Sequence, residues 1–131
     1  MIELVRNKDT DSANQVKSEA DAKIEGIFQY IKENFRLNIT LDELCFLSGT
    51  NKTTLCMEFK NTYGETIINY INKLRIKEAK KLLREGRLNI TEISEAVGFS
   101  SVHYFCRIFK MRENISPTQY VKTIKSRLET N

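Results

Sequence analysis

The sequence predicts an all-α fold in which about seven helices form two helix-turn-helix subdomains joined by a long linking helix. Three observations predict this fold. One segment occurs twice, apolar residues recur at helical spacing, and the same helix start and stop signals flank both copies. We expect no β-strands.

The two copies of the repeated segment cover residues 40–71 and 89–121. They align with a shift of 49 residues, which becomes 50 after one additional residue in the second turn. Each copy is a short helix, a turn with a glycine, and a second helix with a polar start. This is the outline of a helix-turn-helix, whose second helix can enter a DNA major groove. The aligned pairs include Thr40 with Asn89, Leu44 with Ile93, Gly49 with Gly98, Leu55 with Phe105, Phe59 with Phe109 and Lys60 with Lys110.

The first subdomain is expected at residues 21–66 and begins with an amphipathic helix. Residues 1–20 before it are polar and lack a sustained period, so we expect a linker or flexible tail there. Apolar residues then mark one helical face at 3.6-residue spacing. These residues are Ile24, Ile27, Phe28, Ile31 and Phe35.

The next helix of each copy begins with the same signals. Thr40 can cap the helix, and Glu43, three residues later, can complete a capping box. Ile39 before the cap and Leu44 after it suit a hydrophobic staple. The second copy repeats both devices with Asn89, Glu92, Leu88 and Ile93.

Stop signals bound the second helix of each copy. In the first copy this helix should begin after Asn51 and end before Gly64, which can adopt a left-handed conformation. Asn114 is the matching stop in the second copy. Ser116 and Pro117 then open a last helix, with proline at the first helical position, where its missing N–H loses no bond.

Residues 67–86 are expected to form the linking helix, and residues 87–128 the second subdomain. The helical pattern from Ile67 to about Glu85 would span about 30 Å, close to the roughly 34 Å of one DNA turn. Its lysine-rich face is either solvated or in contact with phosphate. The apolar positions that we expect in the two cores are Leu44, Leu47, Leu55, Phe59, Ile93, Phe105 and Phe109.

The charge distribution favours a polyanionic partner. The net charge is +4 and the pI about 9.0, and residues 1–21 hold three basic and five acidic residues, so the remainder carries +6. With no apolar run of about 18 residues and no signal-peptide pattern, we expect no membrane association and a cytoplasmic location. Three cysteines without CxxC or zinc-ligand spacing suit a reducing compartment, and we expect no metal and no cofactor.

Three segments carry a family resemblance: residues 70–83 (YINKLRIKEAKKLL), 90–110 (ITEISEAVGFSSVHYFCRIFK) and 116–120 (SPTQY). Over about residues 22–125 the chain resembles the DNA-binding domain of the AraC/XylS family of bacterial transcription regulators. The resemblance implies a sequence-specific regulator that binds double-stranded DNA, with RNA polymerase as a candidate second partner. Such domains are usually attached to a sensing or dimerising domain, which these 131 residues do not include. The chain is therefore either part of a larger regulator or a small stand-alone one.

By this resemblance, the DNA-contacting residues lie in the first turns of each second helix, with phosphate contacts from helix starts and basic residues. A candidate further phosphate contact is Arg75. The first unit would use Asn51, Lys52, Thr53, Cys56, Met57 and Lys60, and the second would use Ser101, Val102, His103, Tyr104, Arg107 and Lys110.

The first unit departs from the family pattern. Met57 stands where related sequences often carry arginine, and Glu58 stands where a small apolar residue is common. In the second unit, Val102 is apolar where polar readers are frequent. We therefore expect either that the second unit reads sequence more sharply or that the first reads chiefly by DNA shape.

Two other function classes compete with DNA binding. Cys56 and Met57 offer few hydrogen bonds to bases. They therefore leave open the alternative that the chain is a protein-interaction module with little DNA affinity of its own. An enzyme is disfavoured because no histidine and carboxylate accompany any cysteine. We expect His103 to be exposed and not catalytic, and nothing in the sequence indicates a lowered thiol pKa for a redox switch.

Overall fold

The structure is a computed structural model that describes residues 19–130, with side chains described to residue 126. It confirms the all-α class: this part of the chain contains seven helices and no strand. The helices are α1 (Glu19–Asn34), α2 (Leu41–Ser48), α3 (Lys52–Tyr63), α4 (Ile67–Glu85), α5 (Ile90–Ala96), α6 (Val102–Glu113) and α7 (Pro117–Thr130). Within these bounds no helix has the combined length and apolar character needed to cross a membrane.

The first helix begins two residues earlier than the sequence predicts. Helix α1 begins at Glu19, so the last two residues assigned to the tail belong to the first turn of a helix, and residues 1–18 lie outside the described part. Glu19 and Asp21 place negative charge in that first turn, where it interacts favourably with the helix dipole. A polar composition therefore did not exclude a helix start.

The capping box forms only in the second copy. Asn89 and Glu92 exchange both hydrogen bonds, at 2.8 and 2.9 Å. In the first copy Thr40 Oγ1 accepts from the Glu43 backbone N–H at 3.1 Å, but the Glu43 carboxylate accepts from the Tyr30 hydroxyl instead. The side chain expected to close the box therefore joins α1 to α2.

The predicted helix stops are confirmed. Helix α3 is capped by Asn51 and ends at Gly64, and α6 ends at Asn114, which adopts the left-handed conformation with φ of 71°. Pro117 is the first residue of α7, and Ser116 caps that helix by accepting from the Gln119 N–H at 3.1 Å.

Helix α4 supplies residues to two separate cores. Its first half packs with α1 and α3 around a core that also includes α2, and its second half packs with α5, α6 and α7. The first core contains Ile24, Ile27, Ile31, Leu44, Leu55, Phe59, Ile67, Tyr70 and Ile71. The second contains Ile76, Ala79, Leu83, Ile93, Val97, Phe99, Phe105, Ile108 and Phe109.

The prediction that Leu47 is a core residue is wrong. Its side chain is 51% exposed, and the neighbouring Phe46 is 86% exposed. Helix α2 buries Leu44 and Ser48 and packs Leu41 and Cys45 partly against the first core. These four residues define one face of α2, centred between Leu41 and Ser48. At about 100° per residue, Leu47 lies about 110° around the helix from that centre, which places its side chain beyond the edge of the buried face.

The two subdomains meet at Arg75, near the middle of α4. Its Nε donates to the Phe35 carbonyl at 2.7 Å, and one Nη donates to the Leu37 carbonyl at 2.9 Å. Its guanidinium also lies 5.5 Å from the centroid of the Phe99 ring, in the turn of the second unit. Arg75 thus connects the α1–α2 loop to the second subdomain.

Gly98 is required where that turn approaches the α1–α2 loop. Its φ is +108°, and a Cβ there would lie 2.8 Å from Arg75 Nε and from the Phe35 carbonyl oxygen. Backbone atoms cannot withdraw as a flexible side chain can. The close contact between subdomains therefore depends on the absence of a side chain at this position.

We predict that Gly98→Ala lowers the free energy of unfolding by more than about 3 kcal/mol, because backbone strain and overpacking add. The matched control is Gly64→Ala, whose φ is +78° but whose Cβ would meet open space. The control should lose only about 1–2 kcal/mol. Urea denaturation followed by circular dichroism measures both, and equal losses would contradict the close approach.

Candidate nucleic-acid interface

The second helices of the two units, α3 and α6, present the same outward face. In α3 this face consists of Thr53, Met57 and Lys60, and all three side chains are exposed. Their spacing of four and then three residues places them in one row along the helix. The matching residues of α6 are also exposed; they are His103, Arg107 and Lys110.

Around this row, the first unit offers few hydrogen-bond donors. Asn51 caps α3, since its Oδ1 accepts from the Thr54 N–H at 2.8 Å. Lys52 forms an exposed ion pair with Asp42 at 3.3 Å. Cys56 is exposed, and Met57 is 55% exposed. The surface of α3 therefore combines a capped N-terminus and two lysines with apolar contact area.

The second unit has a partly buried first turn. Ser101 Oγ caps α6 by accepting from the Tyr104 N–H at 3.2 Å, and Val102 is half-buried. Tyr104 is also half-buried, with its hydroxyl accepting from Asn72 Nδ2 at 3.1 Å. The Arg107 guanidinium lies 5.3 Å from the Tyr104 ring centroid, a cation–π distance. The Tyr104 ring thus packs against the Arg107 guanidinium.

Glu58 does not belong to the outward face of α3. The carboxylate is half-buried and lines a shallow pocket with Lys23 and Ser48 beside α1 and α2. The repeat aligns Glu58 with Ile108, which is buried in the second core. A negative charge at this position is therefore held away from the row of exposed side chains.

Polar contacts hold α6 against the linking helix α4. Besides the Asn72–Tyr104 bond, Arg112 donates to the Asn69 carbonyl at 2.8 Å, and Lys80 pairs with Glu113 at 2.9 Å. We did not identify these residues from the sequence. One of them, Asn72, could have been found from the sequence, because the helical period places this polar residue among apolar residues on the buried face. The structure shows that Asn72 is buried.

The structure gives Arg75 contacts that compete with a role on phosphate. Two of its nitrogens already donate to carbonyls, and burial lowers the pKa of its guanidinium from the ordinary value. Phosphate contact through these nitrogens would have to break both bonds. The remaining residues predicted from the sequence to bind DNA keep that role as a prediction.

The three cysteines are free and lie in different environments. Cys56 is exposed, Cys45 packs against the first core, and Cys106 is half-buried on α6. Burial raises the pKa of the Cys106 thiol, which lowers its thiolate fraction. Among residues 19–130, no group of histidine, cysteine and carboxylate side chains could hold a metal ion.

The sequence matches the model of a helix-turn-helix domain family over residues 44–123. It is 30% identical over 126 residues to an uncharacterised helix-turn-helix-type transcriptional regulator in the cgkA 5′ region of Pseudoalteromonas carrageenovora, covering 93% of this chain and 75% of that protein. It is 28% identical over 119 residues to the xylose operon regulatory protein of Escherichia coli, covering 91% of this chain but 29% of that protein. The chain thus spans under a third of the second relative.

Solved structures share the fold. The C-terminal domain of AraT, a response regulator from Geobacillus stearothermophilus, is 31% identical with a TM-score of 0.74, and the match covers 81% of this chain and 88% of that domain. The DNA-binding domain of AdpA, solved in complex with a target DNA, is 16% identical with a TM-score of 0.75, covering 83% and 98%. At 16% identity the second comparison demonstrates similarity of fold alone.

We predict that iodoacetamide modifies Cys56 faster than Cys106, because Cys56 is exposed and burial raises the pKa of Cys106. Peptide mass spectrometry at successive times at pH 8 measures both rates. Unfolding in urea is the control, and it should make the two rates equal. Faster modification of Cys106 in the folded protein would contradict the described surface of α6.

Proposed function

The chain belongs to the AraC/XylS family of helix-turn-helix DNA-binding transcription regulators, and we propose from this premise that it reads two successive major grooves. Helix α3 would occupy one groove and helix α6 the next, on the same side of the double helix. Double-stranded DNA is then the principal partner, and the protein would act in the cytoplasm. The AdpA domain was solved in complex with a target DNA, so a domain of this fold can bind DNA.

The observation that carries the proposal is the repetition of one exposed face on two helices, α3 and α6, that both pack against helix α4. Helix α4 has 19 residues and is therefore about 28 Å long. Successive major grooves on one face of DNA are about 34 Å apart. A linking helix of this length suits two reading helices that are offset by one DNA turn.

The two units would contribute differently to binding. Arg107 can donate two hydrogen bonds to guanine O6 and N7, which specifies one base pair. Met57, its counterpart, offers apolar contact such as that with a thymine methyl group. Lys60 and Lys110, with the capped starts of α3 and α6, would hold phosphates and set the register. The second unit therefore supplies most of the direct base reading.

A protein-interaction role is the second candidate, and one exposed pair favours it. Phe46 and Leu47 on α2 are 86% and 51% exposed, whereas the matching positions of the repeat are Glu95 and Ala96. The fold therefore does not require apolar residues there. RNA polymerase or an inhibitory protein would be partners of this kind, with DNA affinity weak or absent.

Selection of bound duplexes from random DNA, followed by titration at several salt concentrations, distinguishes the two candidates. DNA reading predicts an enriched motif with two separated half-sites and an affinity that falls steeply with salt, because neutralised phosphates release counterions. An absence of binding even at low salt would contradict DNA reading and support the interaction module.

We predict that Arg107→Ala weakens binding by about 1–3 kcal/mol and relaxes preference at one or two base pairs. If Arg107 contacts only phosphate, the loss should be uniform across sequences, and the salt slope should fall by about one. Met57→Ala is the matched variant in the first unit and should cost less. Fluorescence anisotropy on selected and scrambled duplexes measures these effects, and unchanged affinity for folded Arg107→Ala would contradict the assignment.

A further inference from the structure

We infer that Arg75 is a positioning residue that sets the spacing between the two half-sites the protein accepts. The inference rests on the proposed reading of two grooves by α3 and α6. Arg75 would not touch DNA. It would fix the separation and rotation of the two helices and so make the protein selective for the number of base pairs between half-sites.

The contacts of Arg75 extend in two directions from α4. Towards the first subdomain, Nε and one Nη donate to the carbonyls of Phe35 and Leu37, at 2.7 and 2.9 Å. Towards the second, the guanidinium lies 5.5 Å from the Phe99 ring. A planar guanidinium can donate in its plane while its face contacts an aromatic ring, which the compact ammonium of lysine cannot reproduce.

From Phe99, ring contacts continue to the exposed face of α6. The Phe99 and Tyr104 rings meet edge to face, with centroids 5.7 Å apart. Tyr104 in turn lies 5.3 Å from the Arg107 guanidinium, and its hydroxyl accepts from Asn72 on α4. An unbroken series of packed side chains therefore joins the first subdomain to the arginine that we assign to base reading.

Two neighbouring contacts restrict movement at this junction. Arg36 pairs with Glu78 at 3.2 Å, which ties the α1–α2 loop to α4 a second time. Gly98 leaves no space between its Cα and the Phe35 carbonyl for even a methyl group. The subdomains thus cannot approach further, and Arg75 opposes their separation.

Duplexes in which base pairs are inserted between the two selected half-sites test the inference. Two inserted base pairs rotate one half-site by about 70° relative to the other. The wild-type protein should then lose about tenfold in affinity or more, because one unit no longer meets its bases. Arg75→Met should bind the original spacing about tenfold more weakly and lose less than about threefold on insertion.

Two further variants separate geometry from charge and from folding. Arg75→Lys keeps the charge but not the two-pronged donation, so it should resemble Arg75→Met in spacing dependence. Lys77→Met removes an exposed positive charge two residues away on α4 and should keep the steep spacing dependence of the wild type. Circular dichroism melts establish that each variant is folded at the temperature of the titration.

A distance measurement without DNA tests the geometry directly. Spin labels would be attached to Cys56 on α3 and, after Lys110→Cys, to α6, with Cys45 and Cys106 changed to serine, the residue that matches Cys45 in the repeat. Double electron–electron resonance should give a narrow distance distribution for the labelled protein that retains Arg75. The labelled protein that also carries Arg75→Met should give a broader or shifted distribution.

The outcomes distinguish the inference from the function on which it rests. If the wild type is sensitive to spacing and folded Arg75→Met is equally sensitive, the inference is wrong and the proposed function stands. If the wild type binds no selected sequence, the proposed function fails, and with it the role of Arg75 in spacing. Identical distance distributions with and without Arg75 would overturn the inference in either case.

Discussion

The contact that links the two subdomains most directly is the insertion of the Arg75 guanidinium between the α1–α2 loop and the turn of the second unit. Each subdomain has its own core, and the two cores share only helix α4. A single helix can bend, and rotation about it would move α3 relative to α6. Arg75 opposes such motion because its hydrogen bonds to Phe35 and Leu37 and its contact with Phe99 are formed together.

Helices α3 and α6 share a framework but differ in chemistry. Both begin at a capping polar residue, Asn51 or Ser101, and both end at a left-handed residue, Gly64 or Asn114. In the second unit the Tyr104 ring packs against the Arg107 guanidinium, and three polar contacts join α6 to α4. In the first unit the position that matches Arg107 is Met57, which is exposed on α3. This asymmetry supports a division of labour in which α6 specifies bases and α3 contributes affinity and register.

Local interactions made most of the fold predictable from sequence. Caps, stops and the 3.6-residue period act within one or two turns of a helix, so the bounds of α3 and α4 and the left-handed Asn114 could be predicted. Leu47 was misassigned because an eight-residue helix gives too few apolar positions to fix its buried face. The contacts of Arg75 and Glu43 depend on residues at least 13 positions away, on elements whose approach no local pattern encodes.

Hydroxyl-radical footprinting of a selected duplex bound by the chain tests the two-groove account most directly. The account predicts two protected regions about 10 base pairs apart, centred on one face of the double helix and lost together as salt rises. A single protected region of about half a turn, unchanged when the flanking half-site is scrambled, would contradict it and assign all the reading to one helix.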